Sequence, residues 1–224
     1  MDRTAWLWER RRLAEERYDT LHAPAYDQQE WAVIAPTHRR YVAKLMERCP
    51  PGGRVLDAAC GTGKYFAVIL EAGRRVVGTD QSAGMLAQAH AKHPDVPTVK
   101  VGLQELAYDA EFDACMCVDA MEQVFPEDWP LALANLRRAL RPGGSIYLTV
   151  ELADEEELER AFAEATASGL PVVHGEHTSP GGGHHYYPPL TQVAAWVRDA
   201  GLRLLEDGYG DEYYHLLAQA NSPS

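Results

Sequence analysis

The stretch RVLDAACGTGKYF, residues 54–66, sets a glycine loop directly after a short apolar run. The run RVLDAA has the length and composition of a buried strand, and glycines after it let the backbone approach a ligand closely. Such a loop serves several nucleotide chemistries, each of which demands particular residues at fixed offsets. A triphosphate-binding loop has a glycine, four residues and then Gly-Lys-Ser/Thr; here Gly63-Lys64 has Ala58 at the first position and Tyr65 at the last, so both outer positions fail. A dinucleotide fingerprint can start at Gly61 and Gly63, but Phe66 fills its third position, where glycine normally permits close helix-to-strand packing. The next strand-like segment, RRVVGTD, ends in Asp80, and an acid at that tip can accept both hydroxyls of a ribose. The set points to an adenosine-type ligand with no pyrophosphate, and a nicotinamide dinucleotide is the poorer fit.

Outward from the loop, TVKVG, FDACMCVDA and GSIYLTVE are further strand-like segments with helix-like stretches between them. This alternation predicts right-handed crossovers, a parallel sheet covered on both faces, and ligands beyond the carboxyl ends of the strands. Upstream, Trp6, Leu7, Leu13 and Tyr18 sit among charges at helical spacing, and a second helix is expected from about Thr37 to Arg48, ended by CPPGG. Downstream, ADEEELERAFAEATAS reads as a helix whose early carboxylates suit its positive end. GLPVVHGEHTSPGGGHHYYPP reads as a loop or irregular insertion, and LTQVAAWVRDAG as a helix with Gly201 as its cap. LRLLEDGYGDEYYHLLAQA reads as a terminal hairpin connected through Gly208-Tyr209-Gly210-Asp211. The expected division is a helical cap over residues 1–36 and a main domain over 37–224, with a substrate-covering insertion near 151–190.

With 33 acidic against 21 basic residues, the formal charge of −12 disfavours an electrostatic grip on nucleic acid or anionic lipid, leaving small molecules as the expected partners. Cys115 and Cys117 lie in an apolar run and point to one face, so buried thiols are expected rather than a disulfide or zinc. No apolar stretch approaches the length of a membrane span and no secretory leader pattern precedes the fold, which predicts a cytoplasmic protein, monomeric or homodimeric.

The ordered series VLDAACGTG, VVGTDQSAGML, VGLQEL, FDACMCVDAMEQV and LRRALRPGGSIYLTVE resembles, in order and spacing, the class I S-adenosylmethionine-dependent methyltransferases, over about residues 37 to 219. The resemblance implies a Rossmann-like α/β fold: a seven-stranded, mostly parallel sheet with a C-terminal antiparallel hairpin and helices on both faces. It implies S-adenosyl-L-methionine as cofactor and methyl transfer to an O, N or C nucleophile of a small molecule. Carried over by position, Ala59, Gly61 and Gly63 would wall the methionine portion, Asp57 would orient its amino group, and Asp80 would hold the ribose hydroxyls. Gln81 and Met85 would flank the adenine, with Leu103, Gln104 and Glu105 at its edge; Val118 and Asp119 would floor the sulfonium, and Tyr26 would close over the cofactor. The chain departs from many relatives at Tyr65, where they have a third glycine, and at Leu103, where they have an acid.

The same resemblance places the acceptor between the N-terminal segment and the region after the fifth strand. Tyr18, His22, Tyr26 and Trp31 come from the first; His174, Glu176, His177, His184, His185, Tyr186 and Tyr187 come from the second. Methyl transfer needs alignment, exclusion of water and, for a protonated acceptor, a base, and imidazole is suited to that by its ordinary pKa of about 6.5. His185, then His184, are the candidate bases, and Gln123 would sit at the acceptor mouth; the competing reading is that these histidines only hydrogen-bond the glycine-rich loop. The histidines and Glu176 are metal-type ligands, but neither His-Gly-Glu-His nor His-His has a helical two-histidine spacing, so no metal is expected. A chain that only binds the cofactor, as a sensor or partner subunit, is the alternative; Trp31, Tyr186 and Tyr187 filling the mouth would favour it.

Overall fold

Strand β1 (Arg54–Ala58) lies at the centre of the sheet because Val55, Leu56 and Ala58 are wholly buried, which only a strand covered on both faces allows. The structure is a computed structural model that describes residues 2–29, 33–179 and 183–221. Around β1 stand β2 (Arg75–Asp80), β3 (Thr98–Lys100), β4 (Phe112–Cys117), β5 (Leu140–Glu151), β8 (Leu202–Gly210) and β9 (Tyr213–Ala220), in the order β3-β2-β1-β4-β5-β9-β8. The first five run parallel; β9 is antiparallel to both β5 and β8. Strand order reverses between β1 and β4, and that crevice, at the carboxyl ends, is where an open α/β sheet receives a ligand.

The two faces follow the pleat. Leu56, Cys115, Cys117, Ile146, Leu148, Leu216 and Ala218 pack under α5 (Trp129–Ala139) and α7 (Leu190–Asp199). Val55, Ala114, Met116, Tyr147 and Leu217 pack under α2 (Pro36–Arg48), α3 (Phe66–Glu71) and α4 (Ala83–Lys92). The alternation of Ala114 and Met116 with Cys115 and Cys117 is the period of two expected of a strand, and all four cysteines are buried free thiols. Phe66 fits between α3 and the sheet because Gly78 of β2 leaves it room: a Cβ on Gly78 would stand 2.5 Å from the Phe66 ring. The close packing is therefore permitted by two glycines, Gly78 on the neighbouring strand and Gly63 in the loop, where a Cβ would stand 2.7 Å from the same ring.

Helix α1 (Arg3–Arg17) is capped by Asp2 and continues through a π turn, Tyr18–His22; α2 begins with Pro36 at its first position. Helix α6 (Glu155–Ala167) starts at Asp154, whose carboxylate accepts from the Glu156 and Glu157 N–H groups. The region expected to be a loop or irregular insertion contains an antiparallel pair, β6 (Glu176–Thr178) with β7 (His184–Tyr186). Its buried face consists of Glu176, His184 and Tyr186, so hydropathy did not mark it as a strand pair. The terminal hairpin also turns later than expected, at Asp211-Glu212, both with positive φ (51° and 69°), as a two-residue hairpin turn requires. Gly208 and Gly210 instead make room for α2: Cβ atoms there would meet Tyr41 Oη at 3.1 Å and Thr37 Oγ1 at 2.4 Å. Among the described residues no helix is long and apolar enough to cross a membrane.

Candidate active site

The chain leaves β1 through Ala59, Gly61 and Gly63, all with positive φ (58°, 55° and 78°). For Ala59 this is a strained conformation, of the kind retained at sites where the backbone must approach a ligand. Asp80, at the tip of β2, fixes the loop: its Oδ2 accepts from Gly61 N–H at 2.9 Å and its Oδ1 from Ser82 N–H at 2.8 Å. Asp119 follows β4 with φ 53°, another strained residue; its N–H donates to Thr149 Oγ1 at 2.8 Å and its Oδ2 takes Lys64 Nζ at 3.0 Å.

These strand ends open on one cleft. Tyr18, Tyr26, Ala59, Gly61, Asp80, Gln81, Met85, Leu103, Gln104, Asp119 and Gln123 line its main cavity, together with Val101, Gly102, Ala120 and Val124. An adjoining pocket is lined by Tyr26, Asp57, Lys64, Tyr65, Val118 and Asp119. Gly63 lies off the cleft against the Phe66 ring, and Glu105 turns outward to pair with Arg11 at 2.6 Å. The cleft is electrostatically incomplete. Burial pushes the Asp57 carboxyl up to about 8, with Lys64 pulling it partly back, and its Oδ2 has no hydrogen-bond partner among the described residues. Burial also raises Asp80, against the opposing effect of the Ser82 and Gly61 N–H groups.

The N-terminal segment is tied across this opening by long-range polar bonds. Asp19 Oδ1 accepts from Ser82 Oγ at 2.5 Å and Gly84 N–H at 2.9 Å, at the positive end of α4. Asp27 accepts from Thr62 Oγ1 at 2.6 Å and pairs with Lys92 at 2.7 Å, which holds neighbouring Tyr26 against the glycine loop. Arg3 reaches Glu176 at 2.9 Å and also pairs with Glu127. Burial opposes the ionisation of Glu176, but bonds from His184, Arg3 and the Val173 N–H outweigh it and hold its carboxyl below the usual range.

The two candidate bases separate clearly. His184 is buried between Trp6 and Phe125, with Nε2 3.0 Å from Glu176 Oε1, and does not line the cleft. His185, on the opposite face of β7, is also absent from the linings of the two cavities, and places Nδ1 2.9 Å from Glu151 Oε2 and 3.0 Å from Tyr187 Oη. Tyr186 belongs to the core beside Trp129 and does not plug the mouth; Trp31 lies outside the described residues. The metal-type side chains do not converge as one group: His174 goes to Glu155 and Glu159, away from the Glu176–His184 pair. Sequence reasoning missed Glu122 and Glu151, which sit just beyond β4 and at the last position of β5; their place at strand carboxyl ends was the available signal. Glu122 is 6% exposed, its Oε2 lacks a partner among the described residues, and burial with the nearby Glu151 charge raises its carboxyl strongly.

A profile of the methyltransferase domain family matches residues 55–144, from β1 into β5. The chain is 32% identical over 193 residues to a ubiquinone biosynthesis O-methyltransferase of Xanthomonas axonopodis pv. citri, covering 80% of this chain and 74% of that protein. It is 33% identical over 178 residues to a trans-aconitate 2-methyltransferase of Deinococcus radiodurans, covering 78% and 66%. Among solved structures, magnesium protoporphyrin IX methyltransferase of Synechocystis PCC 6803 with bound S-adenosylhomocysteine shares the fold, with a TM-score of 0.69, 17% identity, and 95% and 100% of the two chains covered. Strand order, glycine loop and sequence relationship agree: the chain belongs to the class I S-adenosylmethionine-dependent methyltransferases.

Proposed function

We infer that the protein methylates a small organic acceptor bound between the β1–β4 cleft and a cover made of residues 1–36 and the 151–190 segment. The observation that supports this reading most is Asp57: a buried carboxyl with an unpartnered oxygen, beside a strained glycine loop, is costly unless a cationic or hydrogen-donating ligand completes it. S-adenosylmethionine fits that requirement, since it brings an ammonium, a sulfonium and a ribose diol. When bound, it supplies a methyl group already activated for displacement.

The chain's own residues then divide the work. Asp80 would accept from the ribose hydroxyls, Asp57 from the amino group, and Ala59 and Gly61 would give the backbone its close approach. Gln81, Met85, Leu103 and Gln104 would hold the adenine, Val118 and Asp119 the region of the sulfonium, and Tyr26 would close over it. Gln123, on the cavity wall beyond Asp119, would meet the acceptor. His185 and Glu151 form the proton sink: with His185 Nδ1 engaged by Glu151, Nε2 is the ring atom left to receive a proton. Alignment and exclusion of water do the rest, because the displacement needs no other activation. The net acidity of the chain supports a small-molecule acceptor over a polyanionic one.

The test is S-adenosylhomocysteine release with separate pools of phenols, amines and carboxylic acids. Release with at least one pool, dependent on His185, is expected; release with none of them while the cofactor binds would overturn the small-molecule reading.

A further inference from the structure

Two cavities meet at the carboxyl end of β1. The main one, which holds Asp80, and the adjoining one, which holds Asp57, share Tyr26, Ala59, Gly61 and Asp119. In S-adenosylmethionine the sulfonium stands between the ribose and the amino-acid chain. With the ribose diol at Asp80 and the ammonium at Asp57, it falls at that junction, where Asp119 is the shared residue that carries a charge.

The Asp119 carboxylate is aimed from outside the cavities. Its Oδ2 takes Lys64 Nζ at 3.0 Å, and its Oδ1 faces His38 Nε2 at 3.6 Å. Both Oδ1 and Nε2 are closed to solvent and have no hydrogen-bond partner among the described residues. The separation is too long for a hydrogen bond, and a closure of about half an ångström would make one. His38, in the first turn of α2, is 3% exposed and lines neither cavity. Its ring is held edge-on by Tyr213 and His215, at 5.1 and 5.0 Å between centroids, and its Nδ1 lies 3.3 Å from Tyr65 Oη. Burial lowers the His38 pKa against the pull of Asp119, which favours the neutral imidazole. A Tyr65 hydroxyl donating to Nδ1 puts the ring hydrogen on Nε2, toward Asp119; the other tautomer would set a bare lone pair against the carboxylate.

We propose that His38 is a positioning residue: its Nε2–H closes onto Asp119 Oδ1 and aims that carboxylate at the cofactor's sulfur, so that the site distinguishes the sulfonium from the neutral thioether left after transfer. This rests on the methyltransferase reading of the same cleft. In the transfer, the acceptor's lone pair forms the bond to the methyl carbon as the carbon–sulfur bond breaks and its electron pair stays on sulfur. A proton on the acceptor goes to the His185–Glu151 pair. The positive charge at the junction is then gone, and Asp119 holds the product less tightly than the cofactor. Lys64, on the other oxygen, offsets part of this attraction, which leaves one screened charge pair as the difference.

Calorimetry on the full chain without acceptor, with S-adenosylmethionine and S-adenosylhomocysteine, tests this directly. The two ligands differ in the methyl group and its charge, so contacts to adenine, ribose, ammonium and carboxylate cancel in the ratio of their affinities. Relative to wild type, Asp119→Asn should shift that ratio about tenfold against S-adenosylmethionine, the scale of one screened charge pair. His38→Phe keeps a ring against Tyr213 and His215 but removes the N–H, and should shift the ratio the same way by about threefold. His38→Gln, whose amide reaches the place of Nε2–H, should restore the wild-type ratio. Continued S-adenosylhomocysteine binding shows that each variant is folded. A ratio unmoved by Asp119→Asn, equal losses for both ligands in His38→Phe, or no restoration by His38→Gln overturns the proposal and leaves the methyltransferase reading standing. Failure of wild type to bind either ligand overturns both.

Discussion

The strand-end cleft and the segments that cover it are built on opposite electrostatic principles. At the cleft, Asp57, Asp80 and Glu122 are all raised by burial, two of them with an oxygen left unpartnered. In the cover, Glu176 is as deeply buried, yet its bonds to His184, Arg3 and the Val173 N–H complete it and hold it ionised. One region stores unsatisfied charge for a ligand; the other spends its charge on structure. Their stabilities respond to pH in opposite senses. Asp57 has a folded pKa above its unfolded one, so the stability it permits is fully present below about pH 4 and is lost as pH rises toward 8. Glu176 has a folded pKa below its unfolded one, so its contribution is present above the ordinary glutamate range and is lost as pH falls through the folded value.

The largest expected effect tests whether the rigid half is a conventional core. Phe66→Ala should cost about 3–5 kcal/mol in denaturant unfolding, since the ring is wholly buried and seated against Gly78. Next, Asp57→Asn should stabilise the ligand-free protein at pH 8 by a few kcal/mol, roughly, and leave it unchanged near pH 4, as read from melting curves across that range. The remaining slope reports Asp80 and Glu122; a variant no more stable than wild type at pH 8 would show that Asp57 is not under strain. Arg3→Ala should loosen the cover by about 1.5–3 kcal/mol, visible as faster hydrogen exchange in 3–28, 174–179 and 183–187 with β1 and β4 still protected. Equal loosening of the sheet would erase the distinction between the regions. Smallest of all, Arg12→Ala should leave that exchange pattern unchanged, because its pairs with Glu9 and Glu16 are exposed and local.

The cleft was legible because its residues are contiguous in the chain: 54–63 and 75–80 each join a strand to its own ligand-facing tip, so pattern and position coincide. The cover was not. Asp19 meets Ser82 and Asp27 meets Thr62 across separations of 63 and 35 residues, and no local spacing encodes such pairs. Sequence ranks His185 ahead of His184 as a base but does not show where either points; the strand pleat sends His184 into the interior and His185 toward Glu151. Gly208 and Gly210 looked like turn residues, because the sequence does not show that α2 would pass over them.

The most direct test of the account is S-adenosylmethionine binding to wild type and Asp80→Ala by calorimetry at fixed pH and salt. The account predicts a loss of about 1.5–3 kcal/mol, tenfold or more in affinity, as hydrogen bonds to the carboxylate disappear. An affinity unchanged by the substitution would contradict the placement of the cofactor at the tips of β1 and β2.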